Sequence, residues 1–437
     1  MKKIAIIGTG YVGLVSGAGL SEFGHDVICA DIDQTKISRL ESGEITIYES
    51  GLEELVHKNV KAGRLRFSKD TASAIKSSDI IFIAVGTPQD ENGEADLSAV
   101  RAVALNISNN LNSYKIISTK STVPVGTGKW IESIIFSQNP QTKFDYVSNP
   151  EFLREGSSVK DFMHPDRIII GTRSKKSSEI MKDVYRPLFI NETPLLDVSV
   201  ETAEMIKYAA NAFLSLKISY INEIANLCEI VSADVHEVAK AMGLDGRISP
   251  KFLHPGPGFG GSCFPKDTQA LAAMGRTHKN PISTIEAAIV SNNNQKFRMV
   301  KKLKMLVDCE FNGLTISILG LSFKPETDDV RDAASRSIIP QLLKAGAQIN
   351  AYDPIASNNF KLHFPDISYF ESWQEAVKGS DACMILTEWN EFRSMDLLQL
   401  KNLMKSPIIM DTRNILRMEE LEKLGFNYDN VGRKSSK

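Results

Sequence analysis

The sequence predicts an α/β fold of two doubly wound parallel-sheet domains joined by a long central helix and a small helical domain. Three observations carry this. The first 150 residues alternate short β-branched runs with helical patterns, as parallel strands covered on both faces require. A second α/β pattern of the same order begins near Leu314. Between Pro194 and Gly243 there is neither glycine nor proline, so VETAEMIKYAANAFLSLKISYINEIANLCEIV reads as one helix of roughly 30 residues, about 45 Å long.

In chain order, the first strands are expected at Ile4 to Ile7, Val27 to Ala30, Ile80 to Val85 and Lys115 to Ser118. The long helix can join two domains. In the second half TISILG, a helical stretch to Lys344 and AGAQINAYDP repeat the order of AIIG, helix and FGHDVICADID. AIKSSDIIFIAV is echoed by AVKGSDACMILT, pairing Ala74 with Ala376, Lys76 with Lys378, Ser78 with Ser380 and Asp79 with Asp381. An internal duplication follows. At 437 residues the chain exceeds one ordinary core, and the divisions expected are 1–198, 199–305 and 306–437. The tail GRKSSK is read as disordered.

Composition narrows the function. A net charge of −2 leaves no basic surplus for a nucleic-acid surface. Cys29, Cys228, Cys263, Cys309 and Cys383 are scattered, without a CxxC pair, which argues against a zinc site, a redox dithiol or a disulfide framework. A reducing, cytoplasmic setting is expected, with no metal. Lys2 and Lys3 ahead of IAIIGTGYVGLVSGAGL imitate a secretory signal, and no uninterrupted apolar run of 18 residues is present to span a membrane.

The glycines of that run decide its meaning. Gly8, Gly10 and Gly13, with Tyr11 and Val12 between, form GTGYVG directly after a strand and at the start of a helix. Gly8 permits the tight turn, Gly10 lets a pyrophosphate approach the backbone, and Gly13 lets helix and strand pack closely. Asp31 ends the next strand, 18 residues after Gly13, where it can accept bonds from ribose hydroxyls. The alternative is a glycine-rich turn without a ligand; strand, helix and acid together favour a Rossmann-like dinucleotide site. An acid at 31, followed by Ile32 and Asp33 with no arginine, repels a 2′-phosphate, so NAD is expected rather than NADP.

GFGGSCFPKD raises a second chemistry. Pro265 suits a helical first turn, and FPKDTQALAAM continues it to Gly275. Cys263 then lies just before a helix N-terminus with Lys266 nearby, and both favour thiolate. Asp267 follows one turn later. The other four cysteines read as small buried hydrophobes, the bland alternative for Cys263 as well. A nicotinamide site beside a thiolate allows two successive oxidations: an aldehyde is trapped as a thiohemiacetal, which gives up a second hydride to become a thioester. Hydrolysis then needs a base and oxyanion stabilisers.

With GTGYVG (8–13), VGTP (85–88), STVPVGT (121–127), NPEFLREG (149–156), KYAANAF (207–213), GFGGSCFPKD (258–267), LGLSFKPETDDVRD (319–332) and DTRN (411–414), the chain resembles the UDP-glucose/GDP-mannose dehydrogenase family over essentially its whole length. REGSSVKDFMHPDRIIIG resembles the UDP-glucose branch. The resemblance implies NAD-dependent four-electron oxidation of UDP-glucose to UDP-glucuronate, with Cys263 as nucleophile and Glu151 as acid/base residue. It further implies that Lys207 and Asn211 stabilise the oxyanions and that Asp267 and Thr122 order a water. Cofactor contacts are implied at Asp31, Lys36, Thr87, Thr122, Glu155, Lys266 and Arg331. Substrate contacts are implied at Phe152, Leu153, Arg154 and Glu155, at Phe252, Leu253, His254, Pro255 and Gly256, and at Gly260, Phe323, Lys324 and Arg413. Arg247 is implied to reach the nucleotide of a neighbouring subunit, in a homodimer built through the central helix.

Read without the resemblance, Lys207 is a solvated lysine on an exposed helix face, Glu151 a helix-start carboxylate, and Lys324 and Arg413 ordinary surface charges. Two rivals stay open. One keeps the chemistry but takes UDP-galactose, GDP-mannose or a UDP-N-acetylhexosamine; the other is an inactive sensor of NAD and nucleotide sugar, in which Cys263, Glu151, Lys207, Asn211 and Asp267 would have no task.

Overall fold

A computed structural model describes residues 1–436, which divide into two compact units, Met1–Ala210 and Asn211–Lys437. Unit one is an eight-stranded sheet of β1 (Lys3–Ile7), β2 (Asp26–Ala30), β3 (Leu65–Ser68), β4 (Ile80–Ile83), β5 (Lys115–Thr119), β6 (Phe144–Ser148), β7 (Ile168–Thr172) and β8 (Leu195–Val198). Their order is β3-β2-β1-β4-β5-β6-β7-β8. All neighbours run parallel except β6 and β7, so the parallel sheet expected from the first 150 residues is extended by two reversed strands, β7 and β8. Alternate residues serve opposite faces, because successive side chains in a strand point opposite ways. Ile4 and Ile6 enter one core with Phe82 and Val147, while Ala5 and Ile7 enter another with Ile81 and Ile83. Both faces are therefore covered, which is why the strands read as continuous apolar runs.

Unit two holds a six-stranded parallel sheet of β9 (Thr315–Leu319), β10 (Gln348–Tyr352), β11 (Ser368–Tyr369), β12 (Ala382–Ile385), β13 (Ile408–Asp411) and β14 (Asn427–Asp429), ordered β11-β10-β9-β12-β13-β14. This repeats the order of the first six strands of unit one. The matched aspartates do matching work. Asp79 Oδ2 accepts from Lys3 N at 3.3 Å at the start of β1, and Asp381 Oδ2 accepts from Thr315 N at 2.9 Å at the start of β9. The turns after the first strands also correspond: Gly8 N donates to Ala30 O and Gly320 N to Tyr352 O, each at 2.8 Å.

The second copy differs at its acidic position. Asp353 is 3% exposed, and its carboxylate accepts from Leu321 N, Ser322 N and Oγ, Trp389 Nε1, Ile355 N and Ala356 N. Asp31, its counterpart, accepts from Thr9 N, Thr9 Oγ1 and Asp33 N and stays partly accessible.

The glycine- and proline-free stretch forms the helix Val200–Val231, and the division between the units falls inside it. Within unit two its Ile221, Ala225 and Cys228 pack with Met299, Leu303 and Leu306 of the helix Ser283–Val307 against Ile316 and Ile318 of the sheet. No helix among the described residues is long and apolar enough to cross a membrane.

Three expectations are corrected. Cys309 is exposed rather than packed, because it follows the left-handed residue Asp308 that ends the helix Ser283–Val307; Cys29, Cys228 and Cys383 are buried as expected. The helix after the cysteine runs past Gly275 to Thr277, since that glycine allows the approach of Asn280 O, 2.9 Å from where a Cβ would stand. The tail is ordered through residue 436, with Lys437 outside the described residues. Gly432 N donates to Glu229 Oε1 at 2.9 Å, Arg433 Nε to Asp234 Oδ2 at 3.1 Å, and Ser436 N to Tyr428 O.

Candidate active site

In unit one the dinucleotide loop has the shape its glycines require. Gly8 sits at φ +104°, and a Cβ there would meet Ala84 O at 2.6 Å; at Gly13 it would meet Gly8 O at 1.9 Å. At Gly10, the cap of the helix Tyr11–Glu22, a Cβ would meet nothing within 4 Å. Protein contact thus explains two of the glycines, and open space in front of a helix N-terminus explains the third, which fits a bound pyrophosphate. Burial works to raise the Asp31 pKa, but bonds from Thr9 and Asp33 and the charge of Lys36 outweigh it, and the carboxyl sits below its usual range. Lys36 Nζ lies 3.9 Å from Asp31 Oδ2. The Asp31 carboxylate makes a 2′-phosphate unwelcome.

Thr87 and Thr122 are brought together: Thr87 Oγ1 donates to Thr122 O at 2.8 Å. The segment Glu151–Gly156 follows β6. Glu49, absent from the sequence reading, holds its far end by accepting from Gly156 N at 2.7 Å and Ser158 N at 2.8 Å. Tyr11 Oη also accepts from Gly156 N, at 3.0 Å, so cofactor loop and Glu155–Gly156 turn share one amide. Arg154 points outward in an ion pair with Asp161, and Leu153 N donates to Glu151 Oε2.

Lys207 is 3% exposed and Glu151 6%, and Lys207 Nζ donates to Glu151 Oε1 at 3.0 Å. The solvated-lysine and helix-start readings therefore fail. Burial of both partners makes each necessary to the other, since an unpaired charge there is costly. The Phe152 ring carries the Lys207 ammonium at 5.3 Å and the Arg167 guanidinium at 3.6 Å.

Unit two holds the other candidates. Cys263 caps the helix Phe264–Thr277 with Pro265 in its first turn, and Asp267 N donates to Cys263 O at 2.8 Å. The thiol is partly exposed and lies 3.5 Å from Ser262 Oγ, unlike Cys29 and Cys383, whose thiols burial drives upward, Cys29 to about 12. Asp267 is fully buried, accepting from Asn211 Nδ2 at 2.6 Å and Lys266 Nζ at 2.5 Å.

The loop before the cysteine is gripped by buried amides that sequence reasoning missed. Asn292 binds Phe259 twice, Oδ1 accepting from its N at 2.7 Å and Nδ2 donating to its O at 3.0 Å. Asn222 Oδ1 accepts from Gly256 N and Gln295 Nε2 donates to Gly256 O. Across the loop, Gly260 and Gly261 have no room for a side chain: a Cβ would meet Asp332 O at 2.3 Å and the Phe323 ring at 2.8 Å respectively.

Arg413 is no ordinary surface charge. Its Nε donates to Leu386 O at 2.7 Å and its Nη2 to Phe323 O at 3.1 Å, and a Cβ on Gly256 would stand 3.3 Å from its Nη1. Lys324 is half-buried, its Nζ 5.5 Å from the Phe323 ring centroid. Phe252 packs on Phe264, Leu253 and Pro255 are buried, and His254 is exposed. Arg331 pairs with Asp329 and Arg247 with Asp245; the Arg247 side chain is 89% exposed.

The profiles of the UDP-glucose/GDP-mannose dehydrogenase family match three times: the NAD binding domain over residues 2–189, the central domain over 201–294 and the UDP binding domain over 317–418. The chain is 49% identical over 434 residues to UDP-glucose 6-dehydrogenase of Rhizobium meliloti, covering 99% of each. It is 50% identical over 435 residues to UDP-glucose 6-dehydrogenase TuaD of Bacillus subtilis, covering 99% of this chain and 94% of that one. Among solved structures, a UDP-glucose dehydrogenase from Pyrobaculum islandicum superposes with a TM-score of 0.92 at 33% identity, over 99% of this chain and 98% of that one.

Proposed function

The chain belongs to the UDP-glucose/GDP-mannose dehydrogenase family, and from that premise we propose that it oxidises UDP-glucose to UDP-glucuronate with NAD. The observation that carries the choice of sugar nucleotide is identity near one half, over full length, to enzymes named for UDP-glucose. NAD, when bound, takes up a hydride at each of two oxidations.

Cys263 is the nucleophile. Its place at a helix N-terminus favours the thiolate, which adds to the aldehyde left by the first oxidation. The thiohemiacetal loses its second hydride and becomes a thioester. Lys207 and Asn211 hold the oxygen of the reacting carbon, Thr122 and Asp267 order a water that carries protons, and Glu151 draws the proton from the water that cleaves the thioester. Sulfur leaves as thiolate, and one sugar nucleotide, two NAD+ and one water become UDP-glucuronate, two NADH and three protons.

Asp31, Lys36, Thr87, Glu155, Lys266 and Arg331 are assigned to the cofactor. The nucleotide sugar is assigned to Phe152–Glu155, Phe252–Gly256, Gly260, Phe323, Lys324 and Arg413. The functional division is 1–198, 199–305 and 306–437. We further propose a cytoplasmic homodimer through the central helix. Phe213, Tyr220 and Leu227, seven residues apart, are 60%, 46% and 53% exposed, an apolar stripe of the kind a second copy covers. Arg247 then serves the partner's nucleotide.

The test offers UDP-glucose, UDP-galactose, UDP-N-acetylglucosamine and GDP-mannose in parallel and counts NADH per sugar. Two per UDP-glucose supports the reading. One per sugar removes the thioester, turnover of another sugar nucleotide in its place reassigns the substrate, and no turnover of any leaves the sensor.

A further inference from the structure

Lys120 takes no part in the oxidation steps, yet it is only 4% exposed. It follows β5 directly. Its Nζ donates to Asn149 Oδ1 at 3.2 Å, with Tyr185 Oη at 3.4 Å and Asn149 O at 3.5 Å. Tyr185 Oη donates to the same Asn149 Oδ1 at 2.6 Å, Asn149 Nδ2 donates to Ile169 O at 2.8 Å, and Asn149 N donates to Thr119 O at 2.9 Å. The cluster thus fastens the ends of β5 and β6 to each other and to β7. Two residues beyond Lys120 comes Thr122, and two beyond Asn149 comes Glu151.

All three bonded partners of this ammonium are neutral. Buried charges are ordinarily paired, so its compensation must come from further off. The charges that act on it are the Glu151 carboxylate and the Lys207 ammonium; burial pulls Lys120 down to about 8, with Lys207 adding to the effect and Glu151 opposing it. Tyr185 stays neutral because burial drives its phenol upward. One carboxylate therefore stands under the influence of two buried lysines.

We propose that Lys120 is a positioning residue for the oxidation: it fastens the strand ends that lead to Thr122 and Glu151, and it lends Glu151 a second buried positive charge. This rests on Glu151 being the acid/base residue. A nearby cation stabilises the carboxylate, so a chain without it holds the Glu151 charge less firmly. The base is then protonated, and turnover lost, at a higher pH than in the parent.

The experiment uses two neutral replacements in the full chain. Lys120→Gln keeps a polar group for Asn149 and Tyr185, whereas Lys120→Met keeps only the stem. Both are expected to move the acid limb of kcat upward by about one pH unit. Lys120→Met is expected in addition to lower the kcat plateau about tenfold, with the UDP-glucose KM within threefold. An infrared titration of the Glu151 carboxyl band, identified by its loss in Glu151→Gln, gives the same shift without substrate. An acid limb and a carboxyl band unmoved in whichever variant folds overturn the proposal. Failure of the parent to yield two NADH per UDP-glucose instead counts against the functional reading, and the infrared shift still decides the effect of Lys120 on Glu151.

Discussion

Gly10→Ala separates cofactor binding from folding. The residue sits at φ −71° and ψ −169°, a conformation open to alanine, and a Cβ there meets nothing within 4 Å. The fold loses no contact, and the stiffer unfolded chain makes the variant as stable as the parent or up to about 1 kcal/mol more so. The methyl instead occupies the space where the pyrophosphate meets the helix N-terminus. Losing about two charge-assisted bonds costs about 3 kcal/mol, or roughly 150-fold in the NAD Kd. Gly13→Ala is the control, because its Cβ falls 1.9 Å from the backbone oxygen of Gly8, which cannot rotate away. It should lose about 3 kcal/mol of stability, as overpacking does. Thermal unfolding and calorimetric NAD titration measure both. If Gly10→Ala binds NAD as the parent does, the phosphates do not lie against this turn.

Three further outcomes are expected. Cys263→Ala should form no UDP-glucuronate while binding NAD within about twofold of the parent, since the thiol is needed only for the covalent steps; acid formation measured by chromatography at the parent rate would remove the nucleophile. Glu204 accepts from Gly126 N and Gly128 N, and burial pushes its carboxyl up to about 7. A raised carboxyl favours the folded state while protonated, so its contribution is full below about 4.5 and fades as pH rises through about 7, by up to about 3 kcal/mol; urea unfolding at pH 5 and pH 8 should show that slope, flattened in Glu204→Gln. Asn292→Leu removes both main-chain bonds to the buried Phe259, at a cost of about 2–4 kcal/mol. Its kcat should fall with the NAD Kd unchanged, and stopped-flow kinetics with an unaltered kcat would show that the loop needs no such grip.

What was legible in the sequence was local. Gly8, Gly10, Gly13 and Asp31 declare themselves within one strand–helix–strand unit, and Pro265 places Cys263 at a helix start by its own fixed φ. The Asp79 and Asp381 echo was visible because each aspartate fastens the same strand edge in its own copy. What failed depended on distance along the chain. Glu151 and Lys207 are 56 residues apart, and nothing near either reports that both are buried together. Asn222, Asn292 and Gln295 look like the polar faces of exposed helices until the buried loop they hold is present. GRKSSK has the composition of a loose end, yet its glycine fits where a Cβ would stand 2.6 Å from Ala225 Cβ.

The acidic residue after the second strand has two fates in one polypeptide. In the first copy the carboxylate keeps a free side toward whatever arrives from solution. In the second, an indole and a ring of amides have stoppered the same socket, turning a receptor into a rivet. Grafting the glycine turn of the first copy onto the second would therefore create no new dinucleotide port, because the rivet at Asp353 would still fill the hole.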